Sequence, residues 1–176
     1  VAIGHSCMAT GNVTSDAIGT VAVGYETFNA LTSAIGGTAV GYRSALNATT
    51  AEYSTALGYN TLGGNSSTAL TGNRNTAIGA SAGRDMEGAS EKNTLVGDSS
   101  GIEITTGNYN TCIGQNTNPS AITGVNQIVI GYHATGQQNN SVTLGNGDIT
   151  DVFMGEDSGA LVNCAGINFP DTQAPS

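Results

Sequence analysis

Two serines stand where a hydrolase would need them. Gly79-Ala80-Ser81-Ala82-Gly83 and Gly97-Asp98-Ser99-Ser100-Gly101 both fit Gly-x-Ser-x-Gly, the elbow that exposes a nucleophilic hydroxyl where a strand gives way to a helix, with His and acid partners nearby. Both copies, however, fall at the same phase of an internal repeat, and the repeat alone accounts for them. The only two histidines, His5 and His133, lie near opposite ends of that repeat and cannot share a site within one chain. The sequence therefore predicts no catalytic residue and no enzyme. Asp148, Asp151, Glu156 and Asp157 form an acidic cluster in a Gly-rich stretch. Asp148 and Asp151 are the Ca²⁺ candidates there, although the spacing matches no EF-hand loop and solvated turns explain it as well. Otherwise no metal and no cofactor is implied. Tyr25, Tyr42, Tyr59 and Tyr132 each directly follow a repeat glycine, and such a stripe could stack on sugars or form a packing seam.

These residues are placed by a unit written Asn-Thr-Ala-Ile-Gly at Asn75 to Gly79, repeated at Asn93 to Gly97 and Asn110 to Gly114, and more loosely elsewhere. The landmark glycines are Gly4, Gly24, Gly41, Gly58, Gly79, Gly97, Gly114, Gly131 and Gly145, with gaps of 20, 17, 17, 21, 18, 17, 17 and 14. A period near 17 is too short for a helix pair and predicts one turn of a parallel β-solenoid, or β-roll, with two short strands per coil. The repeat region spans residues 1–145; residues 146–176 read as C-terminal strands followed by a cap or inter-subunit tail.

Aligned on the glycine, the copies resolve into columns. One residue before it stand Val23, Val40, Leu57, Ile78, Val96, Ile113, Ile130 and Leu144. This column is expected to be the core. Two before it stand Ala22, Ala39, Ala56 and Ala77, which alternation along a strand sends to the other face, an expected flat surface for approach of neighbouring chains. Thr38, Thr55, Thr76, Thr94 and Thr111 form a threonine ladder, beside an asparagine ladder of Asn75, Asn93 and Asn110. The longer gaps predict outward loops at 63–67 and 84–88.

Composition supports a thin structure. With 26 Gly, no Trp, 5% aromatic and 10% charged residues, the chain cannot fill a wide core. The net charge of −9 would repel a phosphate backbone or an anionic membrane, which argues against nucleic-acid binding. No apolar run long enough to span a membrane is present, so membrane insertion is not expected. Cys7 and Cys112 occupy repeat slots and Cys164 lies in the tail, so the odd total of 3 argues against a disulfide framework. Val1-Ala2-Ile3-Gly4 is already a repeat strand, which suggests a piece of a longer protein.

The repeated Asn-Thr-Ala-Ile-Gly columns resemble the β-roll head repeats of YadA-like trimeric autotransporter adhesins, and the same repeats in bacteriophage and viral tail fibres. The resemblance covers about residues 1–145 and implies a left-handed roll assembled as a parallel homotrimer. It also implies an extracellular location, on a virion tail fibre or a cell-surface filament. The expectation is a structural, non-enzymatic fibre segment that attaches to a host surface, with a host-cell glycan as a further partner. The alternatives are a bacterial adhesin or self-assembling extracellular filament, and an ice-binding solenoid suggested by the threonine ladder.

Overall fold

The structure is a computed structural model that describes residues 1–14, 17–63 and 67–153. The protein is an all-β solenoid. Nine short strands, β1 (Ala2–Ile3), β2 (Val21–Val23), β3 (Thr38–Val40), β4 (Thr55–Leu57), β5 (Thr76–Ile78), β6 (Thr94–Val96), β7 (Thr111–Ile113), β8 (Gln127–Ile130) and β9 (Ser141–Leu144), form one sheet in sequence order. Every pairing is parallel, and the register is the one the columns predict: Ala39 opposite Ala56, Val40 opposite Leu57, Thr76 opposite Thr94. At ~4.8 Å per rung the sheet rises roughly 40 Å from β1 to β9.

Each coil contributes one regular strand to this sheet rather than two. The rear wall carries only isolated parallel bridges, such as Ala48 with Leu70 and Leu70 with Gly88. The backbone explains the difference. Two residues after each landmark glycine from Gly4 to Gly131, a column of residues with positive φ bends the chain: Ser6, Glu26, Arg43, Asn60, Ser81, Ser99, Asn116 and His133 lie between 51° and 56°. Left-handed residues cannot extend a strand, so the rear wall turns instead of pleating. The landmark glycines themselves need glycine: at Gly58, with φ of +140°, a Cβ would sit 2.7 Å from the carbonyl oxygen of Gly79.

The inside and outside of the strand are the reverse of the sequence expectation. Ala22, Ala39, Ala56 and Ala77 are fully or almost fully buried, and Leu95, Cys112 and Val129 continue their column into the core. The column expected inside faces outward: Leu57 is 46% exposed, Ile113 39%, Ile130 38% and Leu144 49%, and Val23, Val40, Ile78 and Val96 are half-buried. The reason is the width of the roll. The rear wall already sends Phe28, Leu31, Leu62, Leu70, Met86 and Ile104 into the interior, leaving room only for small side chains opposite them. Where the front column enlarges to Leu95, the rear wall shrinks to Gly83 and Gly101; a Cβ at Gly101 would lie 2.6 Å from Leu95.

The segment 84–88 is likewise not an outward loop. Met86 is fully buried and Gly88 bridges to Leu70, so this stretch is part of the rear wall. Of the other expected loop, residues 64–66 lie outside the described residues, as do 154–176 of the expected tail, Glu156, Asp157 and Cys164 among them.

Candidate functional site: the outward face of the sheet

Three interior ladders lie behind the outward face. The first is the asparagine ladder, which lies inside the roll. Asn75, Asn93, Asn110 and Gln127 are fully buried. Each backbone N–H of Asn93, Asn110 and Gln127 donates to the side-chain oxygen of the residue above, at 3.0, 2.9 and 3.1 Å. The Nδ2 groups of Asn75, Asn93 and Asn110 donate to the carbonyls of Ser90, Gly107 and Gly124 at 2.8, 2.9 and 2.7 Å. Each amide therefore ties its own strand to the turn that enters the next strand of the stack. The second ladder is the hydroxyl column after the glycine, where Ser44 and Ser100 donate to the carbonyls of Ala56 and Cys112 at 2.9 and 2.8 Å. Cys7 takes the same slot, its Sγ 2.8 Å from the carbonyl oxygen of Gly24. The third is the alanine column itself.

Outward, the threonine column runs beside the aliphatic one, as a single rank, through β3 to β7. No charged residue occurs at any position of the aliphatic column from Ile3 to Leu144. The sheet thus presents an uninterrupted apolar stripe along its whole length.

Aromatic residues follow the glycine turn. His5, Tyr25, Tyr42 and Tyr59 form a continuous stack, with centroids 5.4, 5.1 and 5.2 Å apart and ring planes within 10°. Both faces of Tyr25 and Tyr42 are therefore covered by neighbouring rings. Sugar stacking on those two faces, one of the sequence expectations, is blocked; Tyr59 keeps one free face, and Tyr132 stands alone with His133 edge-on at 4.2 Å. The stack is braced by an ion pair, Arg43 Nε to Glu26 at 2.6 Å. The same Glu26 carboxylate raises the Tyr25 hydroxyl above its ordinary pKa, and its hydrogen bond raises the Arg43 guanidinium.

On the other side of the stripe lies a second column whose members all have positive φ, among them Tyr53, Arg74, Lys92 and Tyr109. Arg74 sits over the Tyr53 ring at 5.4 Å and Lys92 over the Tyr109 ring at 4.9 Å. Lys92 also pairs with Glu91 at 2.7 Å. Its hydrogen bond lowers the Glu91 carboxyl, and Lys92 is raised in return. No spacing rule pointed to this column, because its residue types change from coil to coil; only the constant offset from the glycine could have revealed it.

The remaining sequence candidates are not brought together. Ser99 Oγ donates to its neighbour Asp98 at 3.3 Å, and both Ser81 and Ser99 sit on left-handed bends in a region with no helix among the described residues. His5 stacks on Tyr25 while His133 meets Asn116 at 3.1 Å, in separate coils. Asp148 accepts from Asn146 and Asp151 from Thr150, local bonds within a turn. Among the described residues no group of three or more His, Cys, Asp or Glu side chains could hold a metal ion. In comparisons with known proteins, no family model, no curated protein and no solved structure matches this chain.

Proposed function

We propose that this chain is a structural, non-enzymatic segment of a fibre, built from parallel copies that pack through the outward face of the sheet, most simply as a homotrimer. One observation carries the reading: the aliphatic column from Val23 to Leu144 is turned out of the roll while alanines fill the inside. A contiguous apolar stripe of this length in solvent is unfavourable, at roughly 25 cal/mol per Å² left exposed. Its rungs repeat at the ~4.8 Å sheet spacing, so the surface that matches it rung for rung is another copy of itself. The resemblance to tail-fibre and adhesin-head repeats adds an extracellular setting on a virion or cell-surface filament, with attachment to a host glycan as the task of the whole fibre.

Sedimentation equilibrium of the isolated chain tests the assembly. A defined oligomer that dissociates when Leu57 and Ile113 are both changed to Asp supports it, and a wild-type monomer at high concentration removes it.

A second reading, a filament that grows by end-to-end stacking, is favoured by one feature. Among the described residues β1 and β9 each pair on one side only, so each leaves a strand edge there. Electron microscopy separates the two: rods of uniform length belong to the first, fibrils of indefinite length to the second.

A further inference from the structure

Tyr42 is the middle ring of three. It stacks on Tyr25 on one side and Tyr59 on the other, with centroids 5.1 and 5.2 Å away and planes within 8°, and all three side chains are exposed. Because the rings are nearly parallel and one coil apart, the carbons ortho to one hydroxyl stand opposite those of the next at roughly the 4.8 Å rung spacing. The Glu26 carboxylate lies against the Tyr25 hydroxyl, and its ion pair with Arg43 at 2.6 Å ties the same two coils together. Among the described residues the other three tyrosines stack on no second tyrosine: Tyr53 carries Arg74 on its ring, Tyr109 carries Lys92, and Tyr132 meets His133.

Phenols stacked on adjacent coils are placed for oxidative coupling. Loss of one electron and one proton from each of two tyrosines gives two phenoxyl radicals. Their unpaired spin reaches the ring carbons ortho to oxygen; a C–C bond forms between two such carbons, and the hydrogen on each moves to oxygen, restoring both phenols. Hydrogen peroxide, activated by a haem peroxidase, takes up the two electrons and two protons and leaves as two molecules of water. The Glu26 carboxylate is placed to accept the Tyr25 proton as the electron departs. Exposed side chains rotate within ps to ns, and partners held on neighbouring coils need no diffusion to meet, so coupling inside a chain outruns coupling between chains.

We infer that the tyrosine stack is a site of covalent modification, at which a peroxide-driven one-electron oxidant joins Tyr42 to Tyr25 or to Tyr59 as dityrosine. The linkage needs one chain only and is independent of how copies assemble. It clamps two successive coils side to side, as a disulfide closing the same short loop would. Tyr42 is common to both links, because Tyr25 and Tyr59 lie two coils apart, roughly 10 Å.

Treatment of the dilute native chain with horseradish peroxidase and hydrogen peroxide tests this, with dityrosine fluorescence as the readout and N-acetyltyrosine in a parallel reaction showing that the oxidant is active. The wild type is expected to gain dityrosine while still running as a single chain under denaturing conditions. Tandem mass spectrometry of its proteolytic peptides should place the links at Tyr25–Tyr42 and Tyr42–Tyr59, a result that needs no variant to fold. Tyr42→Phe, which keeps the ring and loses the hydroxyl, should lower the yield about fivefold or more, the advantage of held over diffusing partners. Tyr132→Phe should leave it unchanged, and circular dichroism checks that both variants keep the wild-type fold. The site is overturned by no dityrosine while N-acetyltyrosine couples, by links mainly between chains or at Tyr53, Tyr109 or Tyr132, or by a yield unchanged in Tyr42→Phe.

Discussion

Asn110 hangs from Asn93 by two bonds to a single oxygen: its backbone N–H reaches the Asn93 Oδ1 at 2.9 Å and its own Nδ2 reaches the same atom at 3.1 Å. Asn93 in turn hangs from Asn75 in the same way, at 3.0 and 3.2 Å. A buried amide is thereby shared between coils. Its oxygen serves the asparagine of the next rung and its nitrogen the turn that enters that rung.

Removing one member breaks both functions. Asn93→Ala leaves the Asn110 backbone N–H and one Asn110 amide proton without their acceptor in a dry interior, and leaves the Gly107 carbonyl with the Ser90 hydroxyl alone. Each such loss costs on the order of 1–3 kcal/mol, so urea denaturation should show Asn93→Ala destabilised by roughly 2–5 kcal/mol. Asn93→Asp should be at least as damaging, since a carboxylate cannot donate to Gly107 and would be buried charged. A midpoint unchanged in both variants would show that the ladder is not structural.

The reversal of the strand faces makes a pair of adjacent residues opposite in behaviour. Ala56 is 1% exposed and Leu57 is 46% exposed. Ala56→Leu is expected to overpack the roll against its rear wall, with a loss of about 1–3 kcal/mol. Leu57→Ser should change the stability of the separated chain by less than about 1 kcal/mol while weakening self-association. Thermal melts at low concentration measure the first effect and sedimentation the second. The opposite ranking in the melts would mean that the faces are assigned the wrong way round.

Much of this architecture was legible in the sequence, and the part that was not has a specific cause. The glycine spacing gives the coil, and the matched columns give the parallel register, because a ladder stacks like residues on like. Alternation says that Ala77 and Ile78 face opposite ways but not which way is in. Choosing the larger side chain for the core assumed that the strand alone fills it. Phe28, Leu62 and Met86, scattered through the segments between strands, do that instead. Their positions lack a hydrophobic period because left-handed residues break the chain into short bends, and periodicity reads only regular backbone. The aliphatic column of the candidate face was legible but placed on the wrong side, and the flanking column went unread because Tyr53, Arg74, Lys92 and Tyr109 share an offset from the glycine without sharing a residue type from one coil to the next.

Gly101 tests whether backbone or packing demands glycine. Its φ is +61°, yet Ala45 at the same phase of the repeat has a φ of 54°, so a left-handed alanine is tolerated in this column. What forbids a side chain is Leu95, 2.6 Å from where the Cβ would be. Gly101→Ala should therefore cost about 1–3 kcal/mol. The Leu95→Ala background should absorb most of that loss, giving a coupling of about 1 kcal/mol or more in a double-mutant cycle. Strict additivity would instead assign the loss to backbone strain.

Cys112 supplies a pH dependence whose sign can be worked out. The thiol is buried in the inward column, and burial pushes its pKa up to about 12 from an ordinary value of 9.0. Below pH 9 both folded and unfolded chains keep the proton, and the group leaves stability unchanged. Between about pH 9 and 12 the unfolded chain releases the proton while the folded chain retains it, so the unfolded state binds fewer protons and stability falls as pH rises. Cys112→Ala removes this component. The difference in unfolding free energy between wild type and Cys112→Ala should therefore be flat up to about pH 9 and then move steadily against the wild type. The same burial predicts that Cys112 reacts with iodoacetamide at pH 8 only as fast as the roll opens, while the half-buried Cys7 reacts sooner. Mass spectrometry of alkylated peptides gives the order directly, and equal labelling of the two cysteines in the native protein would contradict an interior position for residue 112.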